Sequence, residues 1–120
     1  RVVAVEPEGC PSLFESFKQN KPASVDCNTI CDGVAVPYMT DEVFSIIRGI
    51  VDDVVLVSDD AVKDTVKRLA LGNRIVVEPS GALSVAAAIA TAGQERGRSV
   101  CVVTGGSIDR EKLLAILQTE

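Results

Sequence analysis

Val100-Cys101-Val102-Val103-Thr104-Gly105-Gly106-Ser107 is the most informative segment of the chain. Four apolar residues in a row suit a strand buried on both faces. The two glycines then let the backbone turn sharply, and a helix carrying Leu113, Leu114, Ile116 and Leu117 follows. Strand, glycine turn and helix make one unit of an alternating α/β chain. The same unit recurs upstream. Ile75-Val76-Val77 runs into Glu78-Pro79-Ser80-Gly81 and then the Ala-rich helix Ala82–Ala92. Val54–Val57 runs into Ser58-Asp59-Asp60, a capping sequence for a helix with Val62, Val66, Leu69 and Ala70 on one side, ended by Gly72 and Asn73. Val2–Glu6 is broken by Pro7, and Pro11 opens a helix with Leu13, Phe14 and Phe17 on one face. A fifth helix starts at Thr40-Asp41-Glu42 and carries Val43, Phe44, Ile46, Ile47, Ile50 and Val51 at helical spacing. The expected fold is α/β: a mostly parallel sheet of about four strands with helices on both faces, forming a single unit over residues 1–120.

Composition narrows the function classes. With 120 residues, 47% hydrophobic and 24% charged, the chain is one folded domain rather than a disordered segment. A net charge of −5, with 3% aromatic residues and no Trp, excludes a sequence-independent nucleic-acid binder, which needs a basic face or a stacking platform. There is no His, so Ser-His-Asp catalysis, Cys-His catalysis and His-ligated metals are excluded within the chain. The least polar stretch, Gly81 to Gly93, is too short to span a membrane, and no signal-peptide pattern is visible. The chain opens on Arg1-Val2-Val3-Ala4-Val5, in mid-strand and without Met, which reads as a processed or truncated piece. Cys10, Cys27, Cys31 and Cys101 match neither a redox Cys-x-x-Cys nor a zinc pair, and Cys101 reads as a small core residue in its strand. Reduced thiols and no export signal point to the cytoplasm.

In a parallel sheet, ligands sit outside the carboxyl ends of the strands. That rule selects Glu6–Ser12, Ser58–Asp60, Glu78–Gly81 and Thr104–Ser107. Thr104-Gly105-Gly106-Ser107 offers a hydroxyl and free amides at a helix start, suited to an anion, or equally a tight turn that merely needs glycine. Glu78 places a carboxylate at a strand end, and Glu6-Pro7-Glu8-Gly9 repeats the Glu-Pro theme on another strand. Asp59 and Asp60 read as capping residues rather than as metal ligands. Asn20 to Thr40 is long for a plain connection and contains the turn pair Asp32-Gly33.

Taken in order, these segments resemble a known family. Val-Val-Ala-Val-Glu-Pro-Glu, Ile-Cys-Asp-Gly-Val-Ala-Val, Val-Asp-Asp-Val-Val-Leu-Val-Ser-Asp, Val-Val-Glu-Pro-Ser-Gly-Ala and Val-Cys-Val-Val-Thr-Gly-Gly-Ser-Ile-Asp are similar to the C-terminal part of the catalytic domain of threonine dehydratases and serine racemases. These are pyridoxal-phosphate enzymes of the tryptophan-synthase β-subunit fold type (fold type II). The resemblance implies that Thr104, with Gly105 beside it, bonds the pyridine nitrogen of the cofactor. It implies that Glu78 lies close to the cofactor and that Asp32-Gly33 forms the loop beside its ring. It implies a divalent-cation site at Glu6 and the Cys10 carbonyl. Ser12 stands where a companion acid belongs, and one carboxylate alone binds a hard cation poorly.

The family's Schiff-base lysine, in a Ser-Phe-Lys-x-Arg-Gly motif, and its phosphate glycine loop are not found in this sequence. Ser16-Phe17-Lys18 imitates the motif but continues Gln19-Asn20, so Lys18 reads as a solvated helix residue. The resemblance therefore implies a fragment of a serine/threonine dehydratase or serine racemase that is catalytically silent alone. The complete enzyme would take a small amino acid. Apolar surface left uncovered favours a homo-oligomer. The alternative is a stand-alone, non-catalytic α/β module that binds a small anion or a partner chain at Thr104–Ser107.

Overall fold

Val3–Pro7 (β1) and Asp53–Val57 (β2) pair in parallel, with Val3 opposite Asp53 and Pro7 opposite Val57. The structure, a computed structural model, describes residues 1–91, 93 and 97–118. Five α-helices surround this pair among the described residues: α1 (Ser12–Gln19), α2 (Asp41–Arg48), α3 (Asp59–Arg68), α4 (Pro79–Ala90) and α5 (Arg110–Gln118). A 3-10 turn covers Asp32–Val34, and a π-helical turn, Leu69–Asn73, continues α3.

The helix boundaries follow local chemistry. The Thr40 hydroxyl accepts from the Val43 amide at 3.4 Å and starts α2; the Ser58 hydroxyl accepts from the Ala61 amide at 3.2 Å and starts α3. Asp59 and Asp60 then sit in the first turn of α3, and Lys67 and Arg68 in its last, as the helix dipole favours. Left-handed Asn20 (φ 57°) closes α1, and left-handed Arg74 (φ 61°) closes the π turn. Pro79, whose missing N–H costs nothing in a first turn, opens α4.

The core gathers Val57, Val62, Val66, Leu69, Val77, Leu83, Ala86, Ala87 and Ile116, with Cys31 at its edge. Small residues on α4 bring that helix close to both strands and to α3. A second contact zone joins α1 and α2, where the Phe17 and Phe44 rings meet edge to face at 5.9 Å.

Three expectations need correction. First, the sheet has two strands rather than about four among the described residues. Ile75–Val77 and Val100–Val103 are not strands there. Val77 is buried, but Val76 is 54% exposed and Val102 is 69% exposed. An apolar run becomes a strand only when a neighbour takes up its N–H and C=O groups. Here the groups find isolated partners instead: Ile75 N donates to Leu69 O, and the Ser84 hydroxyl donates to Val102 O. Cys101 is accordingly only half-buried. Second, the Ala-rich helix starts earlier than expected and runs Pro79–Ala90; Ala92 lies outside the described residues. Third, the thiols are not all reduced, because Cys10 and Cys27 form a disulfide. The long loop folds back so that Asn28 N donates to Gly9 O at 2.8 Å, which sets the two cysteines side by side. No helix among the described residues is long and apolar enough to cross a membrane.

Candidate functional site

The turn before α4 and the turn after Val103 are bonded to each other although their apolar runs are not paired as strands. Glu78 N donates to Gly105 O at 2.9 Å, and Thr104 N donates to Gly81 O at 3.4 Å. Glycine is what permits this approach. Gly105 has φ +54°, and a Cβ there would fall on the Glu78 carboxyl group. A Cβ on Gly81 would fall on the Thr104 carbonyl and lie 2.9 Å from Val77 Cγ2. The result is a rim on which Thr104, Gly105, Gly106 and Ser107 are exposed and the Glu78 side chain is half-buried.

The Asp32-Gly33 turn reaches the same rim. Gly33 N donates to the Ser80 hydroxyl at 2.9 Å. A Cβ on Gly33 would lie 3.0 Å from Ser80 Oγ and 3.4 Å from Glu78 Oε1. Asp59, at the start of α3, supports this loop from beneath. Its carboxylate accepts from the Thr29 hydroxyl at 2.6 Å and from Ile30 N at 3.0 Å. Between these anchors Cys31 is fully buried. Burial pushes its thiol up to about 11, against the opposing hydrogen bond from Thr29. Glu78, Thr104, Gly105, Asp32 and Gly33, selected separately in the sequence, therefore share one surface. It presents two carboxylates, two hydroxyls and backbone groups at glycines.

Glu6 and Cys10 are engaged elsewhere. The Glu6 carboxylate accepts from Leu13 N and Phe14 N, both at 2.8 Å, and from the Ser12 hydroxyl at 3.3 Å. It serves as the cap of α1, for which Pro11 in the N-cap position offers no side-chain acceptor. Ser12, at the position expected for a companion acid, is thus a donor to Glu6. Cys10 is disulfide-bonded. Among the described residues no group of three or more His, Cys, Asp or Glu side chains is placed to hold a metal ion. Lys18 is exposed on α1 and pairs with Glu15 at 3.5 Å.

One residue at the site escaped the sequence reading: Lys112, whose ammonium reaches Ile30 O and Asp32. Ser80 and Asp59 lie inside the strand-end segments Glu78–Gly81 and Ser58–Asp60 selected in the sequence, where Asp59 was read as a capping residue. Two surface concavities, of about 570 and 670 Å³, lie against Phe44 and Arg48 and against Leu71 and Ile89; neither is lined by Glu78, Thr104 or Asp32.

The sequence profile of pyridoxal-phosphate dependent enzymes matches residues 1–105. The chain belongs to this family. It is 40% identical over 111 residues to the biosynthetic L-threonine dehydratase of Bacillus subtilis, a match covering 91% of this chain and 26% of that protein. It is 36% identical over 113 residues to the serine racemase of Schizosaccharomyces pombe, covering 92% of this chain and 35% of that one. Among solved structures, the processed form of threonine deaminase isoform 2 from Solanum lycopersicum matches with a TM-score of 0.86 and 26% identity, over 97% of this chain and 35% of that one. Maize serine racemase matches with a TM-score of 0.79 and 31% identity, over 96% and 37%. The chain thus spans about a quarter to a third of the curated relatives it matches. Its two-stranded sheet and helices correspond to part of the fold type II architecture of this pyridoxal-phosphate family.

Proposed function

We propose that the chain forms the cofactor-facing part of a pyridoxal-phosphate-dependent serine/threonine dehydratase or serine racemase, and that it does not turn over an amino acid by itself. The observation that supports this reading is the bonded rim in which Glu78, Gly105, Thr104, Gly33 and Ser80 meet. The rim suits the cofactor on chemical grounds. The glycines at 33 and 105 keep side chains off the surface beside Glu78, as their missing Cβ atoms require. Thr104 is exposed and carries a hydroxyl that can both donate and accept.

Pyridoxal phosphate, when bound, supplies an electron sink for the substrate's α-carbon. Thr104 would hold the ring nitrogen through a hydroxyl, which does not stabilise a positive charge there as a carboxylate would. That choice suits loss of water from a β-hydroxy amino acid such as serine or threonine. Glu78 would face the ring from the opposite turn, and Asp32-Gly33 would border it. The motif that carries the family's cofactor lysine is not found in this sequence, and Lys18 is paired with Glu15. The missing chemistry is therefore proton transfer at the α-carbon.

The test is to incubate the purified 120-residue chain with pyridoxal phosphate, measure keto-acid release from serine and threonine, then reduce with borohydride and map labelled lysines. No turnover and scattered labelling of surface lysines are expected. Turnover, or stoichiometric labelling of Lys18, would overturn the proposal.

A further inference from the structure

Lys112 lies in the first turn of α5, where the helix dipole disfavours a cation. It also lies beyond residue 105, where the family match ends. Its side chain is nevertheless held: Nζ donates to Ile30 O at 2.9 Å and contacts Asp32 Oδ2 at 3.4 Å, with the side chain only 30% exposed. The other Asp32 oxygen, Oδ1, accepts from Gly33 N at 3.1 Å. The Asp32 carboxylate therefore bridges the Lys112 ammonium and the Gly33 amide. The same amide also meets the Ser80 hydroxyl at 2.9 Å.

We propose that Lys112 is a positioning residue that couples α5 to the Asp32-Gly33 turn, through Ile30 O and the Asp32 carboxylate. Two anchors on opposite sides hold this loop. Asp59 takes the Thr29 hydroxyl and the Ile30 amide, while Lys112 takes the Ile30 carbonyl. Both polar groups of the Ile30 peptide positions are thereby satisfied by side chains from different helices. Beyond Ile30 the carboxylate bridge orients Gly33, where an added Cβ would lie 3.0 Å from Ser80 Oγ and 3.4 Å from Glu78 Oε1. Lys112 touches neither Glu78 nor Thr104 in any hydrogen bond or ion pair found; it acts through the loop. The inference deepens the proposed function, since it rests on Asp32-Gly33 bordering the cofactor.

The test uses the chain without any cofactor, so its outcome is separable from that of the labelling experiment. Amide exchange is followed by NMR at Gly33 and, as a control, at Phe14, whose amide is held by Glu6. Lys112→Met should speed exchange at Gly33 about tenfold, the loss of one charge-assisted hydrogen bond, and leave Phe14 unchanged. Lys112→Arg, which keeps the charge and the donors, should restore protection. Unchanged exchange at Gly33 in Lys112→Met, or no rescue by Lys112→Arg, overturns the proposal. Should Lys112→Met lose protection at Phe14 as well, the wild-type chain decides: reductive methylation must be slower at Lys112 than at Lys18, and equal rates overturn the proposal.

Discussion

Replacing Gly105 by Ala tests whether the rim is held together as described. Gly105 has φ +54°, in the left-handed region, and its new Cβ would fall on the Glu78 carboxyl group and lie 2.8 Å from Cγ. The left-handed conformation costs an L-residue about 1–2 kcal/mol. Driving the half-buried Glu78 side chain off its rotamer costs about 1 kcal/mol more. The expected loss is therefore about 2–3 kcal/mol, a large share of the roughly 5–15 kcal/mol available to a folded domain. Urea unfolding followed by circular dichroism reads this directly. Gly106→Ala is the control, since φ is not positive there and the nearest atom to its Cβ is Val76 O at 3.3 Å; it should cost less than about 1 kcal/mol. A double-mutant cycle separates the two causes. In a Glu78→Ala background only the backbone strain remains, so Gly105→Ala should cost about 1 kcal/mol less than in the wild type. A stability for Gly105→Ala within about 0.5 kcal/mol of wild type, or an equal cost in both backgrounds, would refute the close approach of the two turns.

Glu6→Ala should destabilise the chain by about 1–2 kcal/mol in urea unfolding, because Leu13 N and Phe14 N both lose their acceptor; an unchanged midpoint would show that Glu6 is not the cap of α1. The Cys31 thiol is raised from 9.0 to about 11 in the folded chain, so it binds its proton more tightly folded than unfolded. Stability from this group is full below pH 9 and is lost as pH rises towards 11, and Cys31→Ala should lack that alkaline loss. Parallel decline in both proteins would contradict it. Denatured, unreduced chain should yield two titratable thiols, Cys31 and Cys101, and four after reduction; four before reduction would contradict the Cys10–Cys27 pairing. With Val76 54%, Val100 94% and Val102 69% exposed, sedimentation should show self-association, and a monomer at high concentration would count against it.

The helices were legible because their starts and stops are local. Thr40 and Ser58 cap the helices that follow them, and acids crowd both first turns. The site was legible in its glycines, since Gly33, Gly81 and Gly105 mark places where a side chain would collide. The sheet was only half legible. Ile75–Val77 and Val100–Val103 have the composition of buried strands, but composition carries no information on whether a neighbour lies alongside. The disulfide was hidden for a similar reason: Cys10 and Cys27 are 17 residues apart, and what joins them is the path of the loop. The bonds of Glu6 to the Leu13 and Phe14 amides were not legible either, because no side-chain pattern reveals a backbone partner. Lys112 acts across 80 residues of sequence and leaves no local signal.

The decisive experiment is an NMR titration of isotope-labelled chain with pyridoxamine phosphate, which carries the cofactor's ring and phosphate but no aldehyde for a lysine to attack. Shifts gathered at Gly33, Glu78, Thr104 and Gly105, and weakened by Thr104→Ala, are predicted. Shifts centred on Lys18 or on the Phe44–Arg48 concavity, with those four residues unmoved, would contradict the assignment of the rim as the face that meets the cofactor.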